Sequence, residues 1–171
     1  MSRAEFEALP DVDEYRRAEY VDEVALMPPP ASGSHNVVGV QLLRLLADAL
    51  PGLRVVYELG VETPTSLRVP DVAVVREVED RPWVQEPPVL VAEILSRSTR
   101  SEDLFRKPTE YQAAGIGQYW IVDREQRTVT VLGNNGDSWD VLLELDTEHP
   151  AGSVEVGKYG SVAVDLDLLF A

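Results

Sequence analysis

A chain of 171 residues, 44% hydrophobic and 26% charged, is long enough to bury a core and too apolar to remain disordered. The absence of cysteine excludes a disulfide framework, a thiolate metal site and a cysteine nucleophile. A formal charge of −15 speaks against a broad nucleic-acid clamp, because counterion release rewards lysine and arginine on phosphates. We expect one domain over residues 1–171, in the cytoplasm: the N-terminus has no apolar core of signal-peptide length, and no stretch approaches the roughly 18 apolar residues of a spanning helix.

In chain order, Ser2 and Glu5 of SRAE fit a capping box, which predicts a short helix over residues 3–9 stopped by Pro10. AEYVDEVALM alternates loosely, as a strand or hairpin does, and residues 28–34 read as a loop whose last residue, Ser34, caps the next element. That element is a helix, with Val38, Leu42, Leu45, Leu46 and Ala49 at helical spacing. Three apolar stretches bounded by Pro or Gly follow, LRVVYELGVE, LRVPDVAVV and PPVLVAEILS; each is predicted as a strand, the third central because both its faces are apolar. SEDLFRKPTEYQAAG reads as a helix capped by Ser101, with Glu102 and Asp103 at its positive end, Gly115 at its stop, and Pro108 tolerable only in its first turns. QYWIVD is another buried strand, RTVTVL and SWDVLLEL flank the hairpin signal GNNGD, and SVAVDLDLLF leads from a strand into a last helical turn. A helix between two strands implies a crossover, so the fold class is α/β (α+β), a mixed sheet flanked by helices with a hairpin appended towards the C-terminus.

Two acids sit where strands are apolar. Asp71 stands ahead of Val72, Ala73, Val74 and Val75, and Glu93 lies among Val91, Ile94 and Leu95. On adjacent strands the two carboxylates converge and repel unless a cation stands between them, and a hard divalent ion with oxygen ligands suits such a pair. Taken singly, each acid also fits a strand end that pairs with an arginine. Of the 15 cationic residues only Lys107 and Lys158 are lysines, which singles out each of them.

Pro70-Asp71 followed by Glu93 resembles the PD-(D/E)XK nuclease motif. The ordered strings MPPPASGSH, RVPDVAVV, VAEILSRSTRSED, KPTEYQAAGIGQYWIVD and VAVDLDLLF are similar to the bacterial "putative restriction endonuclease" family of that superfamily, over nearly the whole chain from about residue 19. The resemblance implies a restriction-endonuclease-like fold and a Mg²⁺- or Mn²⁺-dependent endonuclease acting on DNA. It makes Asp71 and Glu93 metal ligands, with the Ile94 carbonyl as a further one, and Lys107 the catalytic lysine. The standard motif places lysine two residues after the Glu, where Leu95 stands; Lys107 fills the displaced position in the next helix. Glu58, His35 and Gln118 are further candidates, as an acidic ligand, a phosphate or water contact, and a polar site residue. Tyr111, one turn after Lys107, reads as a packing residue. The family's glycine after the Asp of the first hairpin is absent after Asp22, which predicts a distorted hairpin.

With so acidic a chain, DNA contacts are expected to be weak and local, carried by Arg97, Arg100 and Arg106. Cutting both strands favours a homodimer, for which Trp83, Trp120 or Trp139 offers interface area. Two alternatives fit the acidity better: a catalytically silent nuclease-fold domain that binds a protein or nucleic-acid partner, and a hydrolase of small phosphorylated molecules.

Overall fold

The structure is a computed structural model and describes residues 1–10, 12–78 and 80–171, with the backbone alone at residue 14. Its spine is a six-stranded sheet of β3 (Arg54–Tyr57), β6 (Val72–Val75), β8 (Leu90–Ile94), β9 (Gln118–Asp123), β10 (Thr128–Asn134) and β11 (Trp139–Leu145), in the order β11-β10-β9-β8-β6-β3. Beside it, β1 (Glu19–Val21), β2 (Val24–Leu26), β4 (Gly60–Glu62), β5 (Ser66–Arg68) and β7 (Trp83–Val84) form a second sheet, β2-β1-β5-β4-β7. β8 is central and buried throughout, as its two apolar faces require. Leu90, Ala92 and Ile94 pack with Val38, Leu42 and Leu46 of helix α2 (Gly33–Ala49); Val91 joins Ala73, Tyr111 and Tyr119 on the other face. β8 and β9 run parallel, joined through helix α3 (Lys107–Ala113), which is the crossover expected of a helix between two strands.

Two stretches expected as single strands are each broken between the sheets. LRVVYELGVE turns at Glu58, whose φ of 51° lies in the left-handed region, so β3 and β4 belong to different sheets. LRVPDVAVV breaks at Pro70, which has no N–H for a strand ladder, so β5 and β6 are also divided. The breaks lie side by side, because the Glu58 amide donates to the Asp71 carbonyl at 3.1 Å. Asp71 therefore sits on the seam between the sheets.

The capping box of Ser2 and Glu5 forms, and helix α1 spans Arg3–Glu7. The first hairpin is regular: Asp22 and Glu23 take φ of 49° and 63°, the two positive values a two-residue turn needs, so Glu23 does what glycine does at lower cost. α2 is capped by Ser32, whose Oγ accepts from the His35 amide, and Ser34 already lies inside the helix. Ser101 is helical as well and caps nothing. A π-helical turn over Glu102–Arg106 precedes α3, which puts Pro108 in the first turn of α3, where its missing N–H is tolerated. The hairpin β10–β11 extends the main sheet through β9. A further hairpin, β12 (Ala151–Glu155) with β13 (Ser161–Asp165), leads into α4 (Leu166–Leu169) and packs on α2. Trp120 is fully buried and offers nothing to an interface. Among the described residues no helix is long and apolar enough to cross a membrane.

Candidate functional site

β6 and β8 pair antiparallel with Val72 opposite Ala92, which puts Asp71 and Glu93 at the next step along the two strands. Both are buried. Asp71 Oδ2 accepts the Ile94 amide at 2.8 Å; His35 Nε2 lies 3.2 Å from the same oxygen and 3.1 Å from the Ile94 carbonyl. A carbonyl only accepts, so His35 Nε2 carries the proton. Asp71 Oδ1 accepts from Arg17 Nη2 at 3.1 Å, while Arg17 Nε stands 3.0 Å from Glu58 Oε1. Burial alone would raise the Asp71 pKa, but His35, the Ile94 amide and Lys107 together hold it below the usual carboxylate range.

Glu93 goes the other way. Its Oε1 accepts from Lys107 Nζ at 2.9 Å and Tyr111 Oη at 2.8 Å, and among the described residues its Oε2 accepts no hydrogen bond. Burial pushes its pKa up to about 8, opposed by Lys107 and reinforced by Asp103, Asp71 and Glu19. Lys107 Nζ also stands 3.0 Å from Asp103 and 3.4 Å from Glu19. Burial would strip its proton, but the three carboxylates raise its pKa, so it stays an ammonium and cannot accept a proton.

The π-helical turn aims this lysine. The Lys107 amide bonds back to the Glu102 carbonyl, one residue further than in an α-helix, and Pro108 has no N–H to serve the Asp103 carbonyl next in line. The buried Tyr119 hydroxyl donates to that carbonyl instead, at 2.7 Å. Asp103 and Lys107 thus face Glu93 from one closed turn.

A family model described as "Uma2: Putative restriction endonuclease" matches residues 3–153. The chain belongs to the Uma2 family. No curated protein matches it. Among solved structures it is similar to a crystal structure described as "a putative nuclease belonging to DUF820" from Anabaena variabilis, with 20% identity, a TM-score of 0.81, and coverage of 99% of this chain and 97% of that one. This likeness establishes the restriction-endonuclease-like α+β fold expected for the Uma2 chain.

In this Uma2 chain a cavity of about 350 Å³ gathers His35, Asp71, Glu93 and Lys107, with Arg17 and Glu19 beside them. Glu58 does not line it and stands behind Arg17. Gln118 lies at the far end of β9, opposite Leu90, where it donates to the Glu155 carbonyl and accepts from Trp120 Nε1. Tyr111 packs edge-on against Tyr119, as expected, and in addition bonds Glu93. The arginines expected to meet DNA are occupied: Arg97 by Glu125, Arg100 by Asp123, and Arg106 by Asp22 and Glu110.

Three residues of the cluster, Arg17, Glu19 and Arg68, escape a reading of sequence. Glu19 Oε1 accepts the Val69 amide at 3.0 Å and its Oε2 accepts from Arg68. Arg68, fully buried, also binds Glu110 and Glu102, and so anchors the approach to Asp71. The one signal was Arg68 itself, a guanidinium within the apolar run LRVPDV that needs buried acids to meet it.

The donor set suits a hard divalent cation. Lys107 alone faces three carboxylates and Arg17 faces two, so negative charge is in excess. Among the described residues no three His, Cys, Asp or Glu side chains form a cage. Two carboxylates and the Ile94 carbonyl, completed by water, match how Mg²⁺ is usually held.

Proposed function

We propose that this chain is a Mg²⁺- or Mn²⁺-dependent endonuclease that hydrolyses phosphodiester bonds of DNA. One observation carries the reading: Asp71 and Glu93, brought together by adjacent strands, share a cavity with the Lys107 ammonium. Membership of a family described as "Putative restriction endonuclease" supports it, as does the likeness in fold to a protein described as "a putative nuclease".

Asp71, Glu93 and the Ile94 carbonyl would hold the cation, and Glu93 Oε2, which accepts no hydrogen bond among the described residues, would be the open donor. A divalent ion bound there supplies a Lewis acid for a phosphoryl oxygen and a water acidic enough to attack near neutral pH. The Ile94 amide and His35 Nε2 fix the orientation of Asp71. Lys107, permanently charged, stabilises the negative charge that builds on the phosphoryl group and the attacking oxygen. It does so as a point charge and takes no proton.

The test is cleavage of a mixed panel of DNA and RNA substrates in Mg²⁺ and Mn²⁺, wild type beside Glu93→Ala. Metal-dependent DNA cleavage by wild type alone is the expected result. Cleavage of RNA only would move the substrate class. Failure to cleave any polynucleotide would favour a silent partner-binding domain or a hydrolase of small phosphorylated molecules, and the carboxylate pairing of Arg97, Arg100 and Arg106 is the observation on that side.

A further inference from the structure

We propose that Arg124 forms a phosphate-binding subsite beside the Asp71–Glu93 centre and holds a backbone phosphate of the substrate. The owner of that phosphate rests on the nuclease reading; the anion subsite itself does not.

Arg124 directly follows β9, at the carboxyl end of the parallel β8–β9 pair, where the Leu95 amide donates to the Val122 carbonyl at 2.8 Å. Ligands of α/β sheets bind beyond that end of parallel strands. The guanidinium lines the same cavity as Asp71, Glu93 and Lys107. Its Nη1 donates to Ser34 Oγ, and the next residue, His35, touches both Asp71 and the Ile94 carbonyl.

Charge sets Arg124 apart from the other cations of the cavity. Arg17 is held by Glu58 and Asp71, and Lys107 by three carboxylates. Arg124 has no carboxylate within 4.0 Å among the described residues, and its Nε is buried with no hydrogen-bond partner. In a chain of net charge −15, a guanidinium without an acid runs against the composition. An unmet buried donor is costly, and a planar fork of N–H groups matches the oxygens of a phosphate. The first turn of the 17-residue helix α2 opens at the same wall, where Ser32 adds a hydroxyl and the helix end favours an anion.

The experiment compares wild type, Arg124→Gln and Arg127→Gln as full chains. Arg127 carries the same charge but is paired with Asp167 outside the cavity. Affinity for a labelled DNA oligonucleotide is measured in Ca²⁺, and the melting shift with inorganic phosphate is measured without metal. Arg124→Gln is expected to weaken oligonucleotide binding roughly tenfold or more, the worth of a charged phosphate contact, and to abolish any phosphate shift. Arg127→Gln is expected to stay within about twofold of wild type. Equal binding by wild type and Arg124→Gln overturns the subsite, as does an equal loss in Arg127→Gln or a wild type that binds neither probe. An Arg124-dependent phosphate shift without oligonucleotide binding keeps the subsite and removes the nuclease reading. Oligonucleotide binding that ignores Arg124 does the reverse. Where Arg124→Gln does not fold, Arg124→Lys decides: a loss of about threefold or more supports the subsite, and wild-type binding overturns it.

Discussion

Asp71 and Glu93 are both buried carboxylates, yet folding moves their pKa values in opposite directions, and the sign fixes what each charge does for the metal-free fold. Asp71 is held low by its donors, so its charge is wanted; Glu93 is pushed up by burial, so its charge is tolerated. In EDTA, Asp71→Asn is expected to lower unfolding free energy by about 1–3 kcal/mol, the worth of charge-assisted hydrogen bonds, whereas Glu93→Gln leaves it unchanged or raises it; urea titrations read both. Lys107 carries a second burden. Lys107→Ala takes the shared cation from buried Glu93 and Asp103 and is expected to cost about 3–5 kcal/mol of stability. Lys107→Arg keeps the charge and the fold, but a planar guanidinium cannot occupy the place of a compact ammonium, so cleavage is expected to fall about a hundredfold or more. Full activity in Lys107→Arg would reduce Lys107 to a generic cation. Asp71, Glu93 and Lys107 are legible in sequence because each breaks a local rule, an acid in an apolar strand or a lysine among arginines. Arg17 and Glu19 break none, lying in an ordinary polar stretch, and only tertiary contact reveals them.

At the scale of elements, irregular backbone places the site. Pro70 ends β5 and leaves Asp71 on the seam between sheets, and the π-helical turn before α3 rotates Lys107 and Asp103 towards Glu93. The strings LRVPDVAVV and SEDLFRKPTEYQAAG contain both prolines that cause this. Their hydrophobic periodicity nevertheless reads as one strand and one helix, because the breaks cost no apolar positions. The turn depends on Tyr119 for the carbonyl that Pro108 leaves unserved. Tyr119→Phe keeps the packing and strands that carbonyl, so it is expected to cost about 1–3 kcal/mol in thermal or urea unfolding. A phenylalanine variant as stable as wild type would mean that the carbonyl finds another donor.

Across the whole molecule, acidity and burial set the response to pH. Glu93, raised from about 4.5 to about 8, contributes stability that is complete below its unfolded value and is lost as pH rises through about 8. Asp71 and Glu110 are lowered, Glu110 because its bonds from Arg68 and Ser66 outweigh burial, so their contributions are lost as pH falls through the acid range. The metal-free protein is therefore expected to melt at lower temperature as pH rises from about 5 to about 8, with a flatter course in Glu93→Gln. The central claim is that Asp71 and Glu93 share one divalent cation. The most direct measurement is the melting temperature with and without Mn²⁺ for wild type, Asp71→Asn and Glu93→Gln. Mn²⁺ is expected to raise the melting temperature of wild type and of neither variant, because a ligand that binds only the folded state stabilises it. An equal rise in all three proteins, or none in wild type, would contradict it.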